Sequence, residues 1–243
     1  MRKLFLLFGF IVAVGVLAFP AVAGARVGGG GMILRHGPVK KLTQSTSSNW
    51  AGYAATGGGF TIVKSTWTQP SAACTSTTTY SSFWVGLDGD GSNTVEQTGT
   101  EADCSGGQAS YSAWYEMYPK YPVYLSIPVH PGNSFTATVS VGSRGKYTLT
   151  LKNNTTGQTF TTTQKGRGSN YSAEAIAEAP SSRSGVLPLT NFGTVNFSST
   201  LVNGSPIGNF NPDRIDMASG NITKAQTSAL SGGTNFGVTW KHS

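Results

Sequence analysis

Charge is what this 243-residue chain has least of: 11% of its residues are charged, against roughly 25% in an ordinary soluble domain. Ten carboxylates make up its acidic complement, Asp88, Asp90, Glu96, Glu101, Asp103, Glu116, Glu174, Glu178, Asp213 and Asp216. Acid–base chemistry therefore draws on a short list. Two cysteines and three histidines, Cys74, Cys104, His36, His130 and His242, are too scattered for the clustered ligands of a structural zinc site. No metal or cofactor is expected. No G-x-S-x-G motif occurs, and neither His130 nor His242 has a serine or aspartate context of a recognisable kind, so a serine-type triad has no support. What is present is 38% apolar residues with 11% aromatics, enough for a core and too many for intrinsic disorder.

The N-terminus reads as a secretory signal over 1–25: Arg2 and Lys3, an apolar run from Leu4 to Leu17, then small-residue exits at Ala21-Val22-Ala23 or Ala23-Gly24-Ala25. Secretion to the extracellular space is expected. The apolar run is short and followed by Pro20 and glycines rather than a stop-transfer pattern, so no membrane contact is expected after its removal. Without Arg2 and Lys3 the chain keeps fifteen basic against ten acidic residues, with no Lys/Arg stripe among exposed aromatics, which argues against nucleic acid as a partner. In an exported chain two cysteines most economically pair, Cys74 with Cys104, which also excludes cysteine catalysis.

Residues 26–43 are basic, rich in glycine and free of acid, and read as a leader or short propeptide ahead of a single domain over 44–243. From Ser45 onward, short runs of Thr, Val, Tyr and Ser alternate with Gly, Asn and Pro turns: 61–67, 83–87, 111–118, 135–141, 147–151, 158–163, 195–200 and 236–240. Strict alternation at 135–141 and 146–151 puts one face in a core and the other in water. The fold class expected is all-β, an antiparallel β-sandwich. Only 173–179 has a helix-like composition.

Three segments carry candidate chemistry. In the first, a strand enters the turn Asp88-Gly-Asp90-Gly-Ser92-Asn93 and returns; Trp84, Gly86 and Asp88 share a face of the first strand, and Val95, Gln97 and Gly99 share a face of the second. Small residues beside polar ones leave room for a substrate backbone. The turn itself reads first as a self-capped turn and second as a calcium loop of D-x-D-x-S type. In the second, Ser112, Trp114, Glu116 and Tyr118 face one way, while Tyr111, Ala113, Tyr115 and Met117 face the core. The first row suits a surface gripping an extended polymer, or is ordinary cross-strand packing. In the third, Glu174 and Glu178 share a side on a helix and on a strand alike, as a reactive pair or as solvated surface.

Taken in order, Ser48-Asn49-Trp50-Ala51-Gly52, Trp84-Val-Gly-Leu-Asp88-Gly-Asp90 leading to Gln97-Thr98-Gly99, residues 111–119, and Ala173-Glu174-Ala175-Ile176-Ala177-Glu178 resemble the glutamic peptidases, also called eqolisins. The likeness runs from about residue 45 to near the C-terminus. It implies a bent two-sheet sandwich, concanavalin- or glucanase-like, with a substrate cleft on its concave face. It also implies a catalytic dyad of Gln97 and Glu178, polypeptide substrates and an acidic optimum. Trp50, Trp84, Asp88, Trp114, Glu116 and Tyr118 match cleft positions and are expected to bind substrate. Ala175 stands where the family usually carries a bulky residue, and Ser112 where some members carry an acid. A monomer is expected. The competing readings are a carbohydrate-active sandwich, glucanase or lectin, using the Trp114/Glu116/Tyr118 face, and a non-catalytic binding module. The basic leader could lie across an acidic cleft near neutral pH and leave when the carboxylates take up protons, or serve as a spacer.

Overall fold

The computed structural model describes residues 34–243. The expected signal peptide and the first residues of the expected leader lie outside the described residues. Thr- and Val-rich stretches punctuated by glycine turns build two antiparallel sheets. One has the strand order Asp213–Ser219, Trp50–Thr56, Ser172–Glu178, Ser82–Leu87, Val95–Ser105, Gln108–Tyr118, Val123–Leu125. The other runs Thr159–Lys165, Lys146–Asn153, Ser134–Gly142, Ile62–Thr68, Thr194–Val202, Phe236–Trp240, Ile222–Thr227 and again Asp213–Ser219. Asp213–Ser219 thus joins the two: Ile215 pairs with Gly52 in the first sheet, Met217 with Ala225 in the second. Among the described residues helical structure is limited to the 3-10 turns Ser143–Gly145 and Ile207–Phe210.

The main core lies between the sheets and follows the alternation. Phe135, Ala137 and Val139 are buried from one strand, Tyr147, Leu149 and Leu151 from its neighbour. Gln108–Tyr118 sends Ala113 and Met117 into this core with Tyr111 and Tyr115 packed against it, and turns Trp114 and Glu116 to the opposite face. Cys74 and Cys104 form a disulfide with Cα atoms 5.4 Å apart.

The 173–179 segment is a strand, Ser172–Glu178, not a helix. It lies between Trp50–Thr56 and Ser82–Leu87 with every residue buried. A strand covered on both faces loses the polar half of its alternation and ceases to read as one. Trp50–Thr56, nearly as buried, escaped the strand reading for the same reason. Ala173, Ala175 and Ala177 enter the main core, so Ala175 lies on the reverse face of the strand that carries Glu178.

Candidate active site

Register across the first sheet sets the site out in three lateral rows. Trp50, Glu178, Ser82, Glu101 and Ser112 make one; Gly52, Ile176, Trp84, Gly99, Trp114 and Tyr124 the next; Ala54, Glu174, Gly86, Gln97 and Glu116 the third. Gln97 and Glu178 therefore lie two rows apart, on opposite sides of the row that carries Trp84. Trp50, Trp84, Trp114, Val95 and Ile176 cluster on this face apart from the main core, Trp50 meeting Trp84 edge to face at 5.0 Å. The glycines do not leave an open floor for a substrate, as the sequence suggested. A Cβ at Gly86 would stand 2.9 Å from the Trp84 ring and 3.2 Å from Gln97 Cβ, and one at Gly99 would collide with the Phe83 carbonyl. Their missing side chains make room for the Trp84 indole and for close strand packing.

The face is covered by the chain itself. Residues 35–40 cross it as an extended segment. Arg35 exchanges two backbone hydrogen bonds of 2.9 Å with Ser181, and Val39 donates to the Gly89 carbonyl at 3.0 Å. Between these anchors, the Trp50 indole donates to the Gly37 carbonyl at 3.1 Å, and Asn49 Nδ2 to the Pro38 carbonyl at 3.1 Å. Gln97 Nε2 donates to the His36 carbonyl oxygen. His36 N–H donates to Glu116 Oε2 at 2.9 Å. The His36 ring is fully buried and stacked on Trp114, with centroids 3.8 Å apart and planes 7° from parallel. Its Nδ1 is 3.1 Å from Ser82 Oγ and 3.5 Å from Glu178 Oε2; its Nε2 is 3.8 Å from Glu101 Oε2. The bases of the expected leader hold less of the cleft than expected: a backbone N–H meets Glu116, while Lys41 pairs at the exit with Asp90 (2.9 Å) and Asp213 (3.2 Å).

Burial governs the electrostatics. Glu178 is fully buried, and desolvation followed by repulsion from Glu116 pushes its carboxyl well above the ordinary range, against the hydrogen bond from Trp84. The Trp84 indole donates to Glu178 Oε2 at 2.9 Å. Glu116 is raised by burial despite the His36 N–H, and Glu174 by burial above all. Burial drives the His36 imidazole down to about 3. A neutral ring thus sits among carboxyls that favour their neutral form. Gln97 Oε1 is buried and makes no hydrogen bond among the described residues.

Trp50, Trp84, Trp114, Glu116, Gln97 and Glu178 are brought together as the sequence grouped them, with half-buried Tyr118 at the rim 3.2 Å from where a Gly37 Cβ would stand. Asp88 is not among them. Its carboxylate accepts from Ser169 Oγ at 2.7 Å and from the Asn170 and Tyr171 N–H groups at 2.9 Å, holding a loop. With Asp90 turned to Lys41 and Ser92 Oγ accepting from Gly89 N–H, the segment is a self-capped turn. Sequence reasoning missed His36, Ser82 and Glu101; the signal for His36 was a lone imidazole beside Gly-Pro in an acid-free leader.

The Peptidase A4 family model matches residues 48–240. Aspergillopepsin-2 of Aspergillus niger is 32% identical over 209 residues, 75% of this chain and 74% of that protein. The chain also superposes on scytalido-glutamic peptidase solved with a transition state analog inhibitor, with a TM-score of 0.71 and 26% identity over 80% of this chain and 98% of that one. A second similar structure, SCP-B of the eqolisin family in complex with the tripeptide Ala-Ile-His, gives a TM-score of 0.68 with 26% identity, over 80% of this chain and 98% of the other.

Proposed function

The chain belongs to the Peptidase A4 family of glutamic endopeptidases, the eqolisins, and on that premise we propose that it is a secreted acid endopeptidase whose dyad is Gln97 and Glu178. The observation that carries the reading is the peptide segment lying over both residues: the carbonyl oxygen of His36 accepts from Gln97, and the His36 ring Nδ1 lies 3.5 Å from Glu178 Oε2. That carbonyl oxygen is the atom on which negative charge develops when an amide is hydrolysed. Gln97 cannot titrate, and its N–H donates to the oxygen that becomes an oxyanion, while its carbonyl Oε1 can orient the attacking water. Glu178 takes the proton from that water and returns it to the departing nitrogen. An open cleft hydrates Glu178 and brings it back toward the ordinary carboxylate range, where it serves as a base. A bound chain dries the site and raises it, so the carboxyl keeps the proton until the nitrogen needs it. Trp84 orients that carboxyl, and Trp50, Trp114, Glu116 and Tyr118 hold the substrate backbone and side chains. A carbohydrate reading would make Gln97 dispensable, and no observation favours it over the peptide already seated in the cleft.

The test is digestion of an unfolded protein between pH 2 and 7 by the wild-type chain and Glu178→Gln, with and without pepstatin. Pepstatin-insensitive cleavage in acid that vanishes in the variant is expected; a folded wild-type chain that cuts nothing at any pH overturns the proposal.

A further inference from the structure

We propose that the cavity beside Tyr118, between the end of Gln108–Tyr118 in the first sheet and the end of Thr159–Lys165 in the second, is an outlying substrate subsite that takes a carboxylate, held by Lys120, Lys165 and Arg167. The inference rests on the peptidase reading and deepens it by naming a class of substrate. The cavity measures about 400 Å³, and its lining includes these three cations, Glu96 and Tyr118. Tyr118 is the wall it shares with the cleft: a Cβ at Gly37, in the segment that crosses the cleft face, would stand 3.2 Å from the Tyr118 ring. A chain lying in the cleft reaches the cations by passing that ring.

Charge decides what the cavity accepts. In a chain with 11% charged residues, three cations converge here, and none of them makes an ion pair among the described residues, whose ion pairs belong to His36 and Lys41. Lys165 also stands opposite Lys146 in register; like charges so placed destabilise a sheet, and a bound anion relieves them. The one acid in the lining does not neutralise the cations. Glu96 is 1% exposed, and its Oε2 makes no hydrogen bond among the described residues. It lies under the turn that follows Lys165: a Cβ at Gly166 would stand 3.1 Å from Glu96 Oε1, and one at Gly168 2.6 Å from Oε2, 2.2 Å from Asp88 Oδ2 and 2.4 Å from the Tyr147 hydroxyl. With Asp88 and Tyr147 as its polar neighbours, Glu96 stays neutral up to about 8. In acid the lining therefore carries three positive charges and no negative one. A chain terminus or an aspartate, with a pKa of roughly 3.5 to 3.9, is still substantially ionised at pH 4, and it takes charge-assisted hydrogen bonds from ammonium and guanidinium groups. A neutral or basic side chain gains nothing there.

The experiment uses internally quenched peptides on one cleavable core, amidated, with Asp or Asn placed in turn at each of four positions on either side of the scissile bond. A parallel set carries no acid and a free C-terminus. All are cut at pH 4 by the wild type and by Lys165→Gln/Arg167→Gln, whose rate on the neutral amidated peptide controls for folding. Expected is a kcat/KM roughly 10-fold higher for Asp than for Asn at one position or two adjoining ones, expressed in KM, weakened by 0.5 M salt, and lost in the double variant while the neutral peptide is cut as by the wild type. The same gain confined to the free C-terminus supports the subsite and makes the chain end its occupant. Equal rates for Asp and Asn with no gain from a free terminus, or a gain that survives the double variant, overturns the subsite while leaving the peptidase reading standing. A folded chain that cuts neither these peptides nor an unfolded protein overturns both.

Discussion

Gln97 donates its side-chain N–H to the carbonyl oxygen of His36, so the residue proposed as the oxyanion donor is already on a peptide carbonyl oxygen. That contact separates Gln97 from every acid on the same face: an amide does not titrate, and pH cannot remove the bond.

Gln97→Ala should lower kcat on an unfolded protein by about 100- to 1000-fold, the usual effect of losing one oxyanion donor, with the melting temperature little changed. Glu178→Gln should go further, to background. A Gln97→Ala enzyme with near wild-type kcat would remove Gln97 from the mechanism.

Asp88→Ala is expected to behave in the opposite way. It loses three hydrogen bonds to residues 169–171, so stability should fall by about 3 kcal/mol, while kcat on the folded enzyme stays within a few-fold. Denaturant unfolding beside steady-state kinetics distinguishes this from a role in substrate binding, which would raise KM without moving the unfolding midpoint.

Stability should fall as pH rises from 6.5 to 8. Burial, then the neighbouring Asp88, pushes Glu96 up to about 8, and Glu116, Glu174 and Glu178 are raised by burial. The folded chain holds protons that the unfolded chain releases above about 4.5, so this stabilisation is complete in acid and lost as pH climbs through the folded values. His36 opposes it only below about 6.5, where the unfolded ring gains a proton that the buried ring refuses down to about 3. Calorimetry on the inactive Glu178→Gln chain should give a higher melting temperature at pH 6.5 than at pH 8, and adding Glu96→Gln should flatten the slope. A melting temperature that climbs toward pH 8 contradicts this.

Replacing both Cys74 and Cys104 with serine opens a loop with a sequence separation of 30 and should cost about 3 kcal/mol. In a chain of this size that lowers the melting temperature by on the order of 10 °C. Activity at 25 °C should persist, since neither sulfur touches the cleft face; loss of activity in a chain that stays folded would show that the bridge shapes the site.

The sequence by itself determined the amphipathic half of this protein. Strands with one wet face, such as Ser134–Gly142 and Lys146–Asn153, write their burial as a two-residue alternation, and the Trp114/Glu116 row separates from the Tyr111/Ala113 row by the same period. The blocks around Trp50, Gln97 and Glu178 were legible through their order along the chain. Tertiary structure alone decided the rest. Ser172–Glu178 and Trp50–Thr56, covered on both faces, carry no alternation to read. Asp88 and Gly86 share the right face of their strand, but only the packed loop at 169–171 and the Trp84 ring decide what they touch. The path of residues 35–40 was least legible of all. Nothing local in Arg35-His36-Gly37-Pro38 says that it crosses the sheet between residues some 60 and 140 positions further on, because a contact made by a single extended segment leaves no period in the sequence, only one imidazole that fits against Trp114.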